Sequence, residues 1–149
     1  MSTTKFEADG TVKAYATLRF AGDKLEPQEI SDVLGVNPTR AYRKGERYLA
    51  GPRTGELTGR TGIWLLSTDN VVKGSDLARH LSYLMKLIFE GEPGRIAALQ
   101  RLIARRGLKA HASCFWHGKA GARKPSIPAP VIEAFKQLPA EIEPDFDTD

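Results

Sequence analysis

From Val12 onward small and apolar side chains alternate with polar ones. Val12, Ala14, Ala16, Leu18 and Phe20 fall on one side, and Lys13, Tyr15, Thr17 and Arg19 on the other. Period two is the signature of a strand that buries one face and leaves the other open. The same period returns far along the chain, where Leu108, Ala110, Ala112, Cys114 and Trp116 alternate with Lys109, His111, Ser113, Phe115 and His117. Between these two ribbons, Gly62-Ile63-Trp64-Leu65-Leu66-Ser67-Thr68 is apolar on both alternating sides, the pattern of an interior strand.

Helical spacing fills the gaps. Leu77, Leu81, Leu84, Met85 and Ile88 share one side of a 3.6-residue helix, with Ser75 as expected N-cap and Asp76 in the first turn. His80 is read as lying off that stripe, facing solvent. Pro27 suits a first helical position, and Ile30, Val33 and Leu34 give a short stripe closed by Gly35. Arg40–Tyr48 reads as a charged edge strand, and the Gly-punctuated stretch Leu49–Thr61 as a loop. Gly91 and Pro93 predict a helix end and a new start, followed by a helix with Ile96, Leu99, Leu102 and Ile103 inside and Arg95, Arg101 and Arg105 outside. After the basic loop Gly118–Pro130, a short helix Val131–Leu138 turns Ile132 and Phe135 inward. A frayed strand over Ile142–Phe146 is limited by Pro144. Without its terminal additions the order is βαββαβ. This predicts an α+β fold, an antiparallel sheet with helices packed mainly on one face, as a ferredoxin-like core plus a C-terminal helix.

The chain has 149 residues, a length suited to one domain. The expected ordered core spans about 12–138, followed by an acidic tail at 139–149. That tail holds five acids and no base, leaving 22 bases against 13 acids before it. The body is therefore basic enough to attract an acidic partner or nucleic acid, unless its own tail offsets the field. A single cysteine, Cys114, permits no internal disulfide. With no apolar run near the ~20 residues of a membrane span and no leader-like start, a cytoplasmic location is expected.

Several of these residues carry a family resemblance. Tyr15-Ala16-Thr17-Leu18, Gly22-Asp23, Pro27-Gln28-Glu29-Ile30, Leu34-Gly35-Val36-Asn37-Pro38-Thr39 with Lys44-Gly45, Gly62-Ile63-Trp64 and the helix from Leu77 to Leu84 together resemble the small, mostly bacterial domain of unknown function family numbered 4279. The resemblance spans about Tyr15–Phe146 and implies one compact α+β domain. It brings no mechanism and no catalytic residues.

Residue chemistry narrows the function by exclusion. His111 and His117 on one strand stand roughly 20 Å apart at ~3.3 Å per residue, with Cys114 on the opposite face, so no metal site forms from them. Gly55–Thr61 departs from a phosphate-binding loop in spacing, in Arg60 and in its flanks. Cys114 is expected buried, and no carboxylates stand at general acid–base spacing. No catalytic residue and no cofactor is assigned. Two features remain. One is the basic run Arg40, Arg43, Lys44, Arg47, Arg53 and Arg60 with Tyr42 and Tyr48 between; the other is the uncovered sheet face carrying Tyr15, Thr17, Arg19, His111, Phe115 and His117. The expected function is a non-catalytic interaction domain whose partner, another macromolecule or a second copy, docks on this face and on residues 40–60. The contact set is Arg40, Arg43, Lys44, Arg47, Trp64, Tyr15, Phe115 and His117. One alternative is binding of single-stranded RNA or DNA, although the third strand lacks the RNA-recognition signature. The other is a small-molecule site or enzyme with its pocket beneath the Pro38–Gly45 turn near Trp64.

Overall fold

A computed structural model describes residues 10–51, 55–138 and 140–149. The order is β1 (Thr11–Gly22), α1 (Pro27–Leu34), β2 (Arg40–Tyr42), β3 (Arg47–Gly51), β4 (Gly55–Thr58), β5 (Gly62–Ser67), α2 (Leu77–Phe89), α3 (Arg95–Arg106), β6 (Lys109–Gly118), α4 (Ala129–Phe135) and β7 (Ala140–Thr148). Five strands form one sheet in the order β2-β5-β1-β6-β7, and β3 pairs with β4 in a separate hairpin. The first three pairings across the large sheet are antiparallel, whereas β6 and β7 run parallel. The fold is α+β with a mixed, mostly antiparallel sheet. No helix among the described residues is long and apolar enough to cross a membrane.

The alternation in β1 and β6 becomes two faces. Ala14, Ala16, Leu18 and Phe20 register with Trp116, Cys114, Ala112 and Ala110, and Phe20 and Leu18 also face Trp64 and Leu66 of β5. Buried side chains from all four helices join the same cluster, among them Ile30, Leu84, Leu99 and Phe135. Small residues at Ala14, Ala16 and Ala112 let the Leu-rich stripe of α2 approach the sheet closely. Where β1 ends, Gly22 and Gly62 are register partners, and a Cβ on Gly62 would lie 2.8 Å from the Gly22 carbonyl oxygen. Only glycine fits that crossing.

Capping refines the helix ends. Asp76, not Ser75, caps α2, its carboxylate accepting from the Ala78 amide at 3.1 Å. α2 ends on Glu90 rather than Gly91, and α3 starts at Arg95 after Gly94 (φ 85°) rather than at Pro93. The Arg95 guanidinium donates to the Leu87 carbonyl at 2.8 Å, so the first residue of α3 satisfies an orphan acceptor in the last turn of α2.

His80 is the clearest departure from the sequence reading: it is fully buried. Leu77, His80, Leu81, Leu84, Leu87 and Ile88 are the buried set of α2, so the histidine stands on the stripe from which its polarity excluded it. Its partner is Thr68, just past the end of β5. β5 pairs with β1 only over Thr17–Gly22, which leaves the next inward amide, Ala16, without a strand partner. The Thr68 hydroxyl oxygen accepts from that amide at 2.8 Å and donates to His80 Nδ1 at 2.6 Å. Since a carbonyl only accepts, Nε2 carries the imidazole proton and donates to the Gly74 carbonyl at 2.8 Å. Elsewhere, Trp64 Nε1 donates to Ser31 Oγ and Trp116 Nε1 to Thr11 Oγ1. No buried side-chain nitrogen or oxygen among the described residues lacks a partner.

Four more expectations change. Val12 is 49% exposed because the β1–β6 register slips between Thr11 and Lys13, turning it out of the alternation. α4 buries Val131 and Phe135, while Ile132 points outward. The stretch read as the loop Leu49–Thr61 instead contains most of the β3–β4 hairpin. The acidic segment is no tail beyond the core: it forms β7, a nine-residue strand paired with β6 from Ala110 to Gly118. Pro144 is accommodated because β7 lies at the sheet edge, where a missing N–H can face outward.

Candidate functional site

The face of the sheet opposite the helices is built by register. One row crosses all five strands: Arg40 pairs with Leu65, Leu65 with Arg19, Arg19 with His111, and His111 with Glu141. The next row holds Ser67, Thr17, Ser113 and Glu143, and the one after it Tyr15, Phe115 and Asp145. Tyr15 and Phe115 stack with ring centroids 4.9 Å apart at 20°, a flat aromatic step in the middle of the face. Both rings are half-buried by their neighbours, and no helix covers them among the described residues.

Charge divides this surface. Glu141, Glu143, Asp145 and Asp147 project from β7 and Asp149 follows just past its end, while the intervening Ile142 and Phe146 pack against the core. The histidines of β6 lean toward that acidic edge. His111 Nε2 lies 3.1 Å from Glu143, and His117 Nε2 lies 2.6 Å from Asp149. Lys13 pairs with Asp69 at 2.6 Å. Arg19 and Arg40 have no ion-pair partner among the described residues and mark the basic half.

The basic run does not act as one block. Arg43 bonds the Glu26 carboxylate at 2.5 Å and lies 3.5 Å from Glu46, which holds its guanidinium pKa above the ordinary value. Lys44 reaches Asp23 at 3.2 Å. Hydrogen bonds from Thr61 and Lys44 hold the Asp23 carboxyl below its usual range. These contacts fasten the turn after β2 to the ends of β1 and α1. Arg47 on β3 is exposed, and Arg53 lies outside the described residues.

Trp64 is fully buried, and its indole is spent on Ser31. Its ring and its N–H are therefore both engaged within the core. The opening beside β5 is on its other face. There Tyr42 and Tyr48 stack at 4.2 Å and 3°, and with Leu57, Arg60 and Ile63 they line a cleft of about 400 Å³ between the hairpin and the sheet. Burial, with Tyr48 beside it, raises the Tyr42 hydroxyl pKa above its ordinary value. Cys114 faces the core, where burial pushes its thiol up to about 12, far from a nucleophile's range.

Of the eight residues singled out from the sequence, the structure gathers Arg40, Tyr15, Phe115 and His117 on the open face. It ties Arg43 and Lys44 into the turn, sets Arg47 on the hairpin, and buries Trp64. The carboxylates of β7 were missed as part of this surface. Their signal was available: Glu141-Ile142-Glu143-Pro144-Asp145-Phe146-Asp147 alternates strictly, the spacing of a strand rather than of a solvated run.

No curated protein and no solved structure matches the chain. The match is to a family model instead, over residues 12–149, from the second residue of β1 to the carboxylate just past β7. By that match the chain belongs to the family described as domain of unknown function (DUF4279).

Proposed function

We propose that this protein is a non-catalytic interaction domain that docks a protein partner on its open sheet face. The observation that carries the reading is the stacked Tyr15–Phe115 pair on the open face of a five-stranded sheet whose described helices pack against the other side. We read the four antiparallel strands β1, β2, β5 and β6 as a ferredoxin-like βαββαβ core, with the hairpin inserted between its second and third strands and β7 added at the edge. In that arrangement β1 and β6, made neighbours inside the sheet once β7 covers the edge of β6, present the aromatic step. A row of carboxylates beside the aromatics repels phosphate, which favours a protein over RNA or DNA. Arg40 and the Tyr42–Tyr48 cleft extend the surface on its basic side.

The test is photo-crosslinking in cells, with a photoreactive residue at Ser113 on the open face or at Arg101 on the outer side of α3. A discrete adduct from position 113 and none from 101 is the expected result. Adducts from 101 with none from 113 would overturn the assignment of the face.

A further inference from the structure

We infer that the partner on the open face is a second copy of this chain, related by a two-fold axis running along β1. This rests on the reading of the open face as a docking surface. β1 is the third of the five strands, so an axis along it exchanges the two sides of the sheet: β7 of each copy lies over β2 of the other, and β6 over β5. The row that crosses all five strands begins at Arg40 and ends at Glu141. Turned about its centre, it places each Arg40 against the Glu141 of the second copy. Each Leu65 then meets the second copy's His111, and the Tyr15 rings approach one another near the axis.

The other way of stacking two such faces uses an axis across the strands. That lays β7 on β7 and opposes the carboxylate columns, so the charge pattern itself selects the axis along β1. Strands at ~4.8 Å spacing and ~3.3 Å per residue give a face of roughly 24 Å by 20 Å, the small end of specific interfaces. A reversible dimer follows. The arrangement sets the two open-face cations of β1 against their mates near the axis; Lys13 is partly neutralised by Asp69, whereas Arg19 has no ion-pair partner among the described residues, and this gives the geometry a signature of its own.

Sedimentation equilibrium on the full chain reads the outcome. The mass is expected to approach twice the monomer by about 100 μM. Arg40→Glu or Glu141→Arg alone is expected to weaken association about tenfold or more, since each creates two repulsive contacts. Mixing the two variants restores it, because each mixed dimer then holds one native and one exchanged pair. Arg19→Leu is expected to tighten the dimer. Both charge variants alter exposed positions and leave the fold intact, as circular dichroism checks. A monomer at all concentrations overturns the inference, as does a dimer indifferent to these substitutions or not rescued by mixing. In that event a crosslink from Ser113 to a protein of different mass leaves the docking face standing with another occupant. No adduct from Ser113 removes both.

Discussion

Replacing Thr68 by valine tests the buried link between sheet and α2. The substitution keeps the shape and removes one hydroxyl. That hydroxyl has two partners, the Ala16 amide at 2.8 Å and His80 Nδ1 at 2.6 Å, and both residues are completely enclosed. Valine therefore strands one donor and one acceptor at once. At roughly 1–3 kcal/mol for each orphaned buried group, offset by the gain from an added methyl, the expected loss is about 2–4 kcal/mol. With a urea slope near 2 kcal/mol/M, the unfolding midpoint should fall by about 1–2 M. Thr68→Ser keeps both bonds and should lose no more than about 1 kcal/mol, for its methyl. In a His80→Leu background, Thr68→Val should cost about 1 kcal/mol less than in the native chain, because one stranded group is already gone. Equal losses for valine and serine, or a valine variant within about 0.5 kcal/mol of the native chain, would refute the proposed network.

Ser31→Ala leaves the enclosed Trp64 indole N–H without its acceptor and should lower stability by about 1–3 kcal/mol, read by chemical denaturation. Gly62→Ala forces a Cβ to 2.8 Å from the Gly22 carbonyl oxygen and is expected to destabilise by about 2 kcal/mol or more; a neutral result would show that the β1–β5 crossing is looser than described. Cys114 should resist a disulfide reagent at about pH 8 in the folded protein and react on unfolding, since burial keeps its thiol protonated there. Hydrogen bonds from Arg106 hold the Glu29 carboxyl below its ordinary 4.5, so its stabilisation is present above that value and is lost as pH falls through the depressed one. Glu29→Gln should therefore lower the melting temperature slightly at neutral pH, and the gap should close under acid.

The open face divides into parts legible in the chain and parts that were not. Tyr15 and Phe115 were placed by period two alone, because alternation in β1 and β6 is enforced wherever one side must be buried. Trp64 was placed on an interior strand, as it is, and then misjudged as reachable. A strand apolar on both sides does not reveal which side meets helices, and the structure turns Trp64 toward α1 and Ile63 toward the cleft. Arg43 and Lys44 looked available as long as their partners, Glu26 and Asp23, were distant in sequence.

What the sequence determined by itself was local: which side of each ribbon is greasy, where helices begin near Pro27 and end at Gly35, and that Cys114 lies inside. These follow from side-chain period and backbone preference over a few residues. Tertiary structure decided the rest. It recruited a string of carboxylates as a parallel fifth strand, so that acid and base share one surface instead of offsetting each other from afar. It also turned a polar residue on a helix, His80, into a core residue, because β5 departs from β1 one residue too soon to satisfy Ala16, and Thr68 and His80 complete the hydrogen bonding there. Neither outcome is encoded in any single segment, since each depends on which strand lies beside which.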